Sequence, residues 1–209
     1  METKFTEQQS LEVITEMINR ARNNVQKGSA NNMIYNGFAV AFLAIANFLL
    51  LYFLPDTYKN YSFHIWWLMV PSAFVDQIIK RKIIREAIVK THIDDFISQL
   101  WRGFSISVVV LLAIILSLCH TFNAPLIALL ITPGIMIIVA LAEFSMAKIC
   151  RFKPFFWGAI VFWAGSLLCL FPYCVLKRGD LHFLILAVCM IVGFVIPGYI
   201  LNKLAKKNV

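Results

Sequence analysis

Between Lys80 and Gly103 the chain reads KRKIIREAIVKTHIDDFISQLWRG, the only long polar interval among its apolar blocks, and it carries six of the nineteen Lys and Arg residues. Two apolar blocks precede it, Met33–Leu54 and Tyr61–Ile79, and four follow: Phe104–Phe122, Pro125–Met146, Phe155–Leu176 and Leu181–Leu201. Each block holds about 19 to 22 residues. At a rise of ~1.5 Å per residue, each is long enough as a helix for a hydrocarbon core of ~30 Å. The expected fold is therefore all-α, a polytopic membrane helix bundle with six transmembrane helices and an N-terminal amphipathic cytoplasmic helix. The organisation expected is a cytoplasmic helix at 1–32 and a transmembrane domain at 33–209, with a cytoplasmic helical corner at 80–103.

Composition leads to the same class. The 209 residues are 60% hydrophobic and 14% charged, against roughly 45–50% and 25% in soluble domains. A formal charge of +8 raises nucleic acid as a partner, but the basic residues flank the apolar blocks. That distribution suits anionic inner-leaflet lipid, so the bilayer is the expected partner and nucleic acid is not. Lys and Arg number four in the N-terminal segment, six in the central interval, three over Lys148–Lys153 and three in the tail; only Lys59, Lys177 and Arg178 fall on the opposite side. The bias places both termini in the cytoplasm. No signal peptide is expected, because the first apolar block begins too far into the chain. The closing Lys206-Lys207-Asn208-Val209 reads as a basic cytoplasmic tail.

The N-terminal helix opens with the capping box Thr6-x-x-Gln9. Leu11, Ile14, Ile18, Ala21 and Val25 then recur on one face, with Glu16–Arg20 as a favourable i,i+4 pair. Gly28-Ser29 is expected to end it. In the central corner Thr91 reads as the cap of a fresh helix with two acids in its first turn. Phe96, Ile97, Leu100, Trp101 and Phe104 carry that helix into the membrane, Trp101 at headgroup depth. Short joining segments make blocks one and two, three and four, and five and six antiparallel neighbours.

Asp76 and Glu143 are the only acids inside apolar blocks. Burying a carboxylate in lipid is costly, so such a residue is a functional candidate: a cation or proton site shared by helices two and four. The bland alternative has each acid reaching the inner headgroups, or pairing with Lys80 or Lys148. An internal echo adds Asn202, since Pro71-x-x-x-x-Asp76-x-x-x-Lys80 returns as Pro197-x-x-x-x-Asn202-x-x-x-Lys206. His64, His120 and His182 fall at the outer helix ends, where a shared depth would allow a metal only if the helices bring them together. Five cysteines without a C-x-x-C pair suit core positions, with Cys119 and Cys174 the one pair at matching depth. There is no G-x-S-x-G, no phosphate-cradling glycine loop and no H-E-x-x-H, so no catalytic, cofactor or metal residue is assigned.

Four short stretches together resemble a group of six-helix bacterial inner-membrane proteins without an established activity. They are Leu11-x-x-Ile14-x-x-Met17-Ile18-x-x-Ala21-Arg22, Thr91-x-Ile93-Asp94 with Leu100-Trp101-x-x-Phe104, Phe152-Lys153-Pro154, and Ile196-Pro197-Gly198-Tyr199. The resemblance implies a multi-pass protein of the bacterial cytoplasmic membrane. The chain departs from the group at Ala142–Ala147, where the group is glycine-rich, so Glu143 is not carried over from it.

Two functions follow as expectations. The leading one is a non-enzymatic interaction or regulatory membrane component. Its docking surface of Leu11, Ile14, Ile18, Arg22, Arg85, Asp94 and Trp101 would take a cytoplasmic protein or a second copy of the chain. The alternative is a small ion- or proton-coupled transporter using Asp76 and Glu143.

Overall fold

A computed structural model describes the backbone of residues 7–75, 78, 92–176 and 178–207, and their side chains except at 7–12, 14–29, 56, 60, 92–94, 125 and 205–207. Every regular element among the described residues is helical. In chain order these are α1 (Glu7–Phe53), a 3₁₀ segment (Asp56–Leu68), α2 (69–75), α3 (His92–Phe122), a 3₁₀ turn (Pro125–Leu130) and α4 (Ile131–Ile149). Then come α5 (Lys153–Leu168), α6 (Phe171–Leu176), α7 (His182–Met190), a π-turn (Ile191–Val195) and α8 (Ile196–Lys207).

Among the described residues five stretches are long and apolar enough to cross a membrane: Ala30–Phe53, Asp95–Phe122, Leu126–Ile149, Lys153–Leu176 and His182–Leu204. The chain is accordingly a multi-pass membrane protein. The sixth apolar block takes another form. Its start, Tyr61 to Leu68, lies in a 13-residue 3₁₀ segment that begins at Asp56; α2 follows, and the remainder runs into residues outside those described. A 3₁₀ helix eclipses side chains three apart, and here Tyr58, Tyr61 and His64 line up ring on ring, with centroids 6.5 and 5.9 Å apart. Tyr, Asn, Ser and His are also indifferent α-formers, so the segment gives up little by tightening.

A second departure concerns α1. Gly28-Ser29 does not end the N-terminal helix, which runs unbroken for 47 residues from Glu7 into the first span. One helical glycine costs about 1 kcal/mol. Breaking the helix where it enters lipid would orphan several backbone groups at a higher cost.

The most extensive packing is between α4 and α5, and between α1 and the α7–π-turn–α8 rod. Small residues permit both, as is usual where helices meet in lipid. Ala30, Ala41 and Ala44 are buried along α1. A Cβ on Gly37 would lie 2.6 Å from Val195 Cγ2, and one on Gly198 would lie 3.2 Å from Met33 Cβ. The core consists of Met136, Ala140, Phe155, Phe162, Phe183, Leu186 and Phe194. By contrast, α3 leans on α4 through Leu111 at Gly134 and leaves most of its surface outward, with 6% of its apolar window buried against 50% for the last span.

Two tight corners set the order of the later helices. Ala124 N donates to Cys119 O (3.2 Å) after α3, and Phe152 N donates to Ala147 O (3.1 Å) after α4. Each corner places one residue in the left-handed region, Asn123 at φ 48° and Arg151 at φ 50°, as expected just past a helix end.

Candidate functional site

Glu143 projects from the C-terminal half of α4 and is 1% exposed. Neither carboxyl oxygen has a hydrogen-bond partner among the described residues. It is held at a three-way junction of α4, α5 and the last rod. A Cβ on Gly158 of α5 would run into both Glu143 Oε2 and the carbonyl oxygen of Gly193 in the π-turn. Gly193 in turn sits against Phe162, where a Cβ would lie 2.7 Å from the ring edge. Gly158 therefore leaves the space that the carboxyl fills, and Gly193 leaves the space for the Phe162 ring beside it.

Local sequence explains the π-turn. Pro197 has no N–H, and the residue four before it is Gly193, whose carbonyl loses its normal helical donor. The helix widens over Ile191–Val195, as helices do at single π-turns, which recur at functional sites. A carboxyl thus lies beside a carbonyl, with no N–H or hydroxyl donor to either carboxyl oxygen. An uncompensated carboxylate costs several kcal/mol in such a place. The arrangement is satisfied by a proton or a cation held among these oxygens.

Glu143 does not pair with Lys148, which is exposed with its Nζ 5.7 Å from the Phe144 ring centroid. Asp76 and Arg85 lie outside the described residues. So do the side chains of Leu11, Ile14, Ile18, Arg22 and Asp94, although their backbone belongs to α1 and α3. Asn202 is not joined to Glu143. Its Nδ2 donates to Asn31 Oδ1 of α1 (3.0 Å), tying the ends of α1's span and the last span together. Trp101 is half-buried and packs edge-on against Phe194 and Phe104, at 5.9 and 5.4 Å; its ring is engaged inside the bundle.

At the opposite end, a cleft of about 480 Å³ is lined by Leu51, Tyr52, Lys59, Arg178, His182 and Phe183, among others. Arg178 Nε and Nη2 donate to the Asp180 carboxylate at 3.2 and 2.6 Å, and the guanidinium lies 5.9 Å from the Tyr52 ring. Burial pushes the Asp180 carboxyl up. The Arg178 hydrogen bonds and charge outweigh that and hold it below the ordinary carboxylate range. His182 is buried, and its Nδ1 pairs with Gly179 O. His64 and His120 are exposed, and among the described residues no three His, Cys, Asp or Glu side chains converge. Cys119 and Cys174 are free thiols.

Sequence reasoning passed over two features of this core. One is Asn47 of α1, which is fully buried. With its amide turned to suit its neighbours, Nδ2 donates to Ser62 Oγ (3.1 Å) and Ser62 O (3.3 Å), and Oδ1 accepts from Trp66 Nε1 (2.9 Å). The other is the π-turn, for which the Gly193–Pro197 spacing was the available signal. Compared with protein-family models, curated proteins and solved structures, the chain matches none.

Proposed function

We propose that the chain is a small proton- or cation-coupled transporter of the bacterial cytoplasmic membrane, with both termini in the cytoplasm, and that Glu143 is the group that takes up and releases the ion. The observation that carries this reading is a carboxyl 1% exposed, without a hydrogen-bond partner among the described residues, at the junction of three helices. A protein with only a structural need there would place an apolar side chain, which fits better and costs less.

Six crossings are part of the proposal. The asymmetry of Lys and Arg supports an even number, with the block beginning at Tyr61 as the second crossing. The cleft supports it too, because Lys59 and Arg178, from two expected outer connections, gather there with Leu129 near the start of the fourth block.

The test is proton flux into liposomes containing the purified protein. Wild-type vesicles should dissipate an imposed pH gradient faster than protein-free vesicles, and Glu143→Gln should reduce the rate to that of empty ones. Equal flux in wild-type and Glu143→Gln vesicles would remove Glu143 from the mechanism.

A further inference from the structure

Sulfur-bearing side chains from α4, the end of α5 and α7 meet beside Gly165, where Cys189 Sγ also points at the Val161 carbonyl (3.7 Å). Cys169 Sγ lies 3.6 Å from Met136 Sδ. A Cβ on Gly165 would collide with Cys189 Sγ and lie 2.6 Å from Met136 Cε, so those two side chains share the space that Gly165 leaves. Gly165 is also one turn before Cys169, whose amide donates to its carbonyl at 2.9 Å. All three residues are buried, at 0%, 5% and 5% exposure for Met136, Cys169 and Cys189. Each comes from a different helical element, so the convergence arises from tertiary packing and not from sequence proximity.

From this geometry we infer a binding site for a soft monovalent metal ion, Cu(I), with Met136, Cys169 and Cys189 as its ligands. Thiolate and thioether sulfur select Cu(I) over hard cations. Metal–sulfur bonds of about 2.3 Å put neighbouring sulfurs roughly 3.8–4.0 Å apart in tetrahedral or trigonal sites. The Cys169–Met136 separation is already within a few tenths of an ångström of that range. Cu(I) arrives already reduced. The Cys169 and Cys189 S–H bonds break, two sulfur–copper bonds form with Met136 as a neutral third donor, and both protons pass to solvent, so the loaded site carries one negative charge.

Position gives the site a route inward. Cys169 Sγ points at the carbonyl of His182 (3.9 Å), and His182 lines the cleft at the end of the bundle. The sulfur site therefore lies one residue layer below that cleft. Met136 and Glu143 are seven residues apart on α4, about 10 Å along the axis. The metal site does not depend on the Glu143 reading, and Glu143→Gln should bind Cu(I) like the wild type.

The experiment is competition for Cu(I) between the detergent-purified full chain and a chromogenic Cu(I) chelator under ascorbate, with X-ray absorption on the loaded protein. One Cu(I) per chain with a first shell of sulfur only is expected. Cys169→Ser and Met136→Leu should each weaken binding at least tenfold, while Cys150→Ser and Cys174→Ser, at exposed positions, should leave it unchanged. Absence of binding by the wild type, a first shell of nitrogen or oxygen, or loss of binding only in Cys150→Ser or Cys174→Ser would overturn the assignment. The X-ray absorption result stands on the wild type alone, so a variant that fails to fold does not shelter the idea.

Discussion

Asn47 and Glu143 are both polar, both within helices that cross the bundle, and both sealed from solvent, at 0% and 1% exposure. They differ in company. Asn47 finds an acceptor, a donor and a backbone carbonyl on the 3₁₀ segment, and its amide clamps that segment against α1. Glu143 meets Gly158 and, among the described residues, no donor. The first holds the fold together. The second is a cost that the fold carries, and costs of that kind are retained where a group has work to do.

The contrast breaks most readily at Asn47. Asn47→Ala orphans the indole N–H of Trp66 and removes the Ser62 contacts, and thermal unfolding in detergent should show a loss of about 3 kcal/mol. A smaller loss, about 2 kcal/mol, is expected for Gly158→Ala, because the new methyl has no space between the Glu143 carboxyl and the Gly193 carbonyl. Glu143→Gln keeps the shape and adds no charge. Its stability should stay within about 1 kcal/mol of wild type, even as proton flux disappears. A severe loss of stability in Glu143→Gln would mean that Glu143 is a clamp like Asn47, and the distinction between the two would vanish.

The smallest effect lies at the cleft. The Asp180 carboxyl is held low by Arg178, so whatever the pair adds is present above the ordinary carboxylate range and is lost as pH falls through the lowered value. Asp180→Asn should therefore unfold like the wild type in acid and very slightly earlier at neutral pH. Melting curves of both proteins from pH 3 to 7 would show whether the gap opens in that direction.

The two buried sites also show what sequence could and could not reveal. Length and hydropathy marked out five spans well, because lipid imposes both on any helix that crosses it. Glu143 stood out for the same reason, as a charge in the wrong solvent. Its partnerless state did not, since Lys148 was close in sequence and only the helix rotation turns one inward and the other out. Asn47, Met136 and Cys189 were invisible, because a neutral side chain in an apolar run gives no sign of which helix it will face. The 3₁₀ segment was missed because a 3.0-residue period and a 3.6-residue period look alike over one apolar block.

The unbroken passage of α1 through Gly28-Ser29 has a mechanical meaning. Its outlying first turns and its lipid-crossing turns share one axis, without a hinge between them. A torque or tilt applied near Glu7 must reach the Gly37 and Gly198 contacts, where α1 grips the rod that carries the π-turn. The outlying arm is thus a lever, and its fulcrum lies against the element that shapes the Glu143 junction.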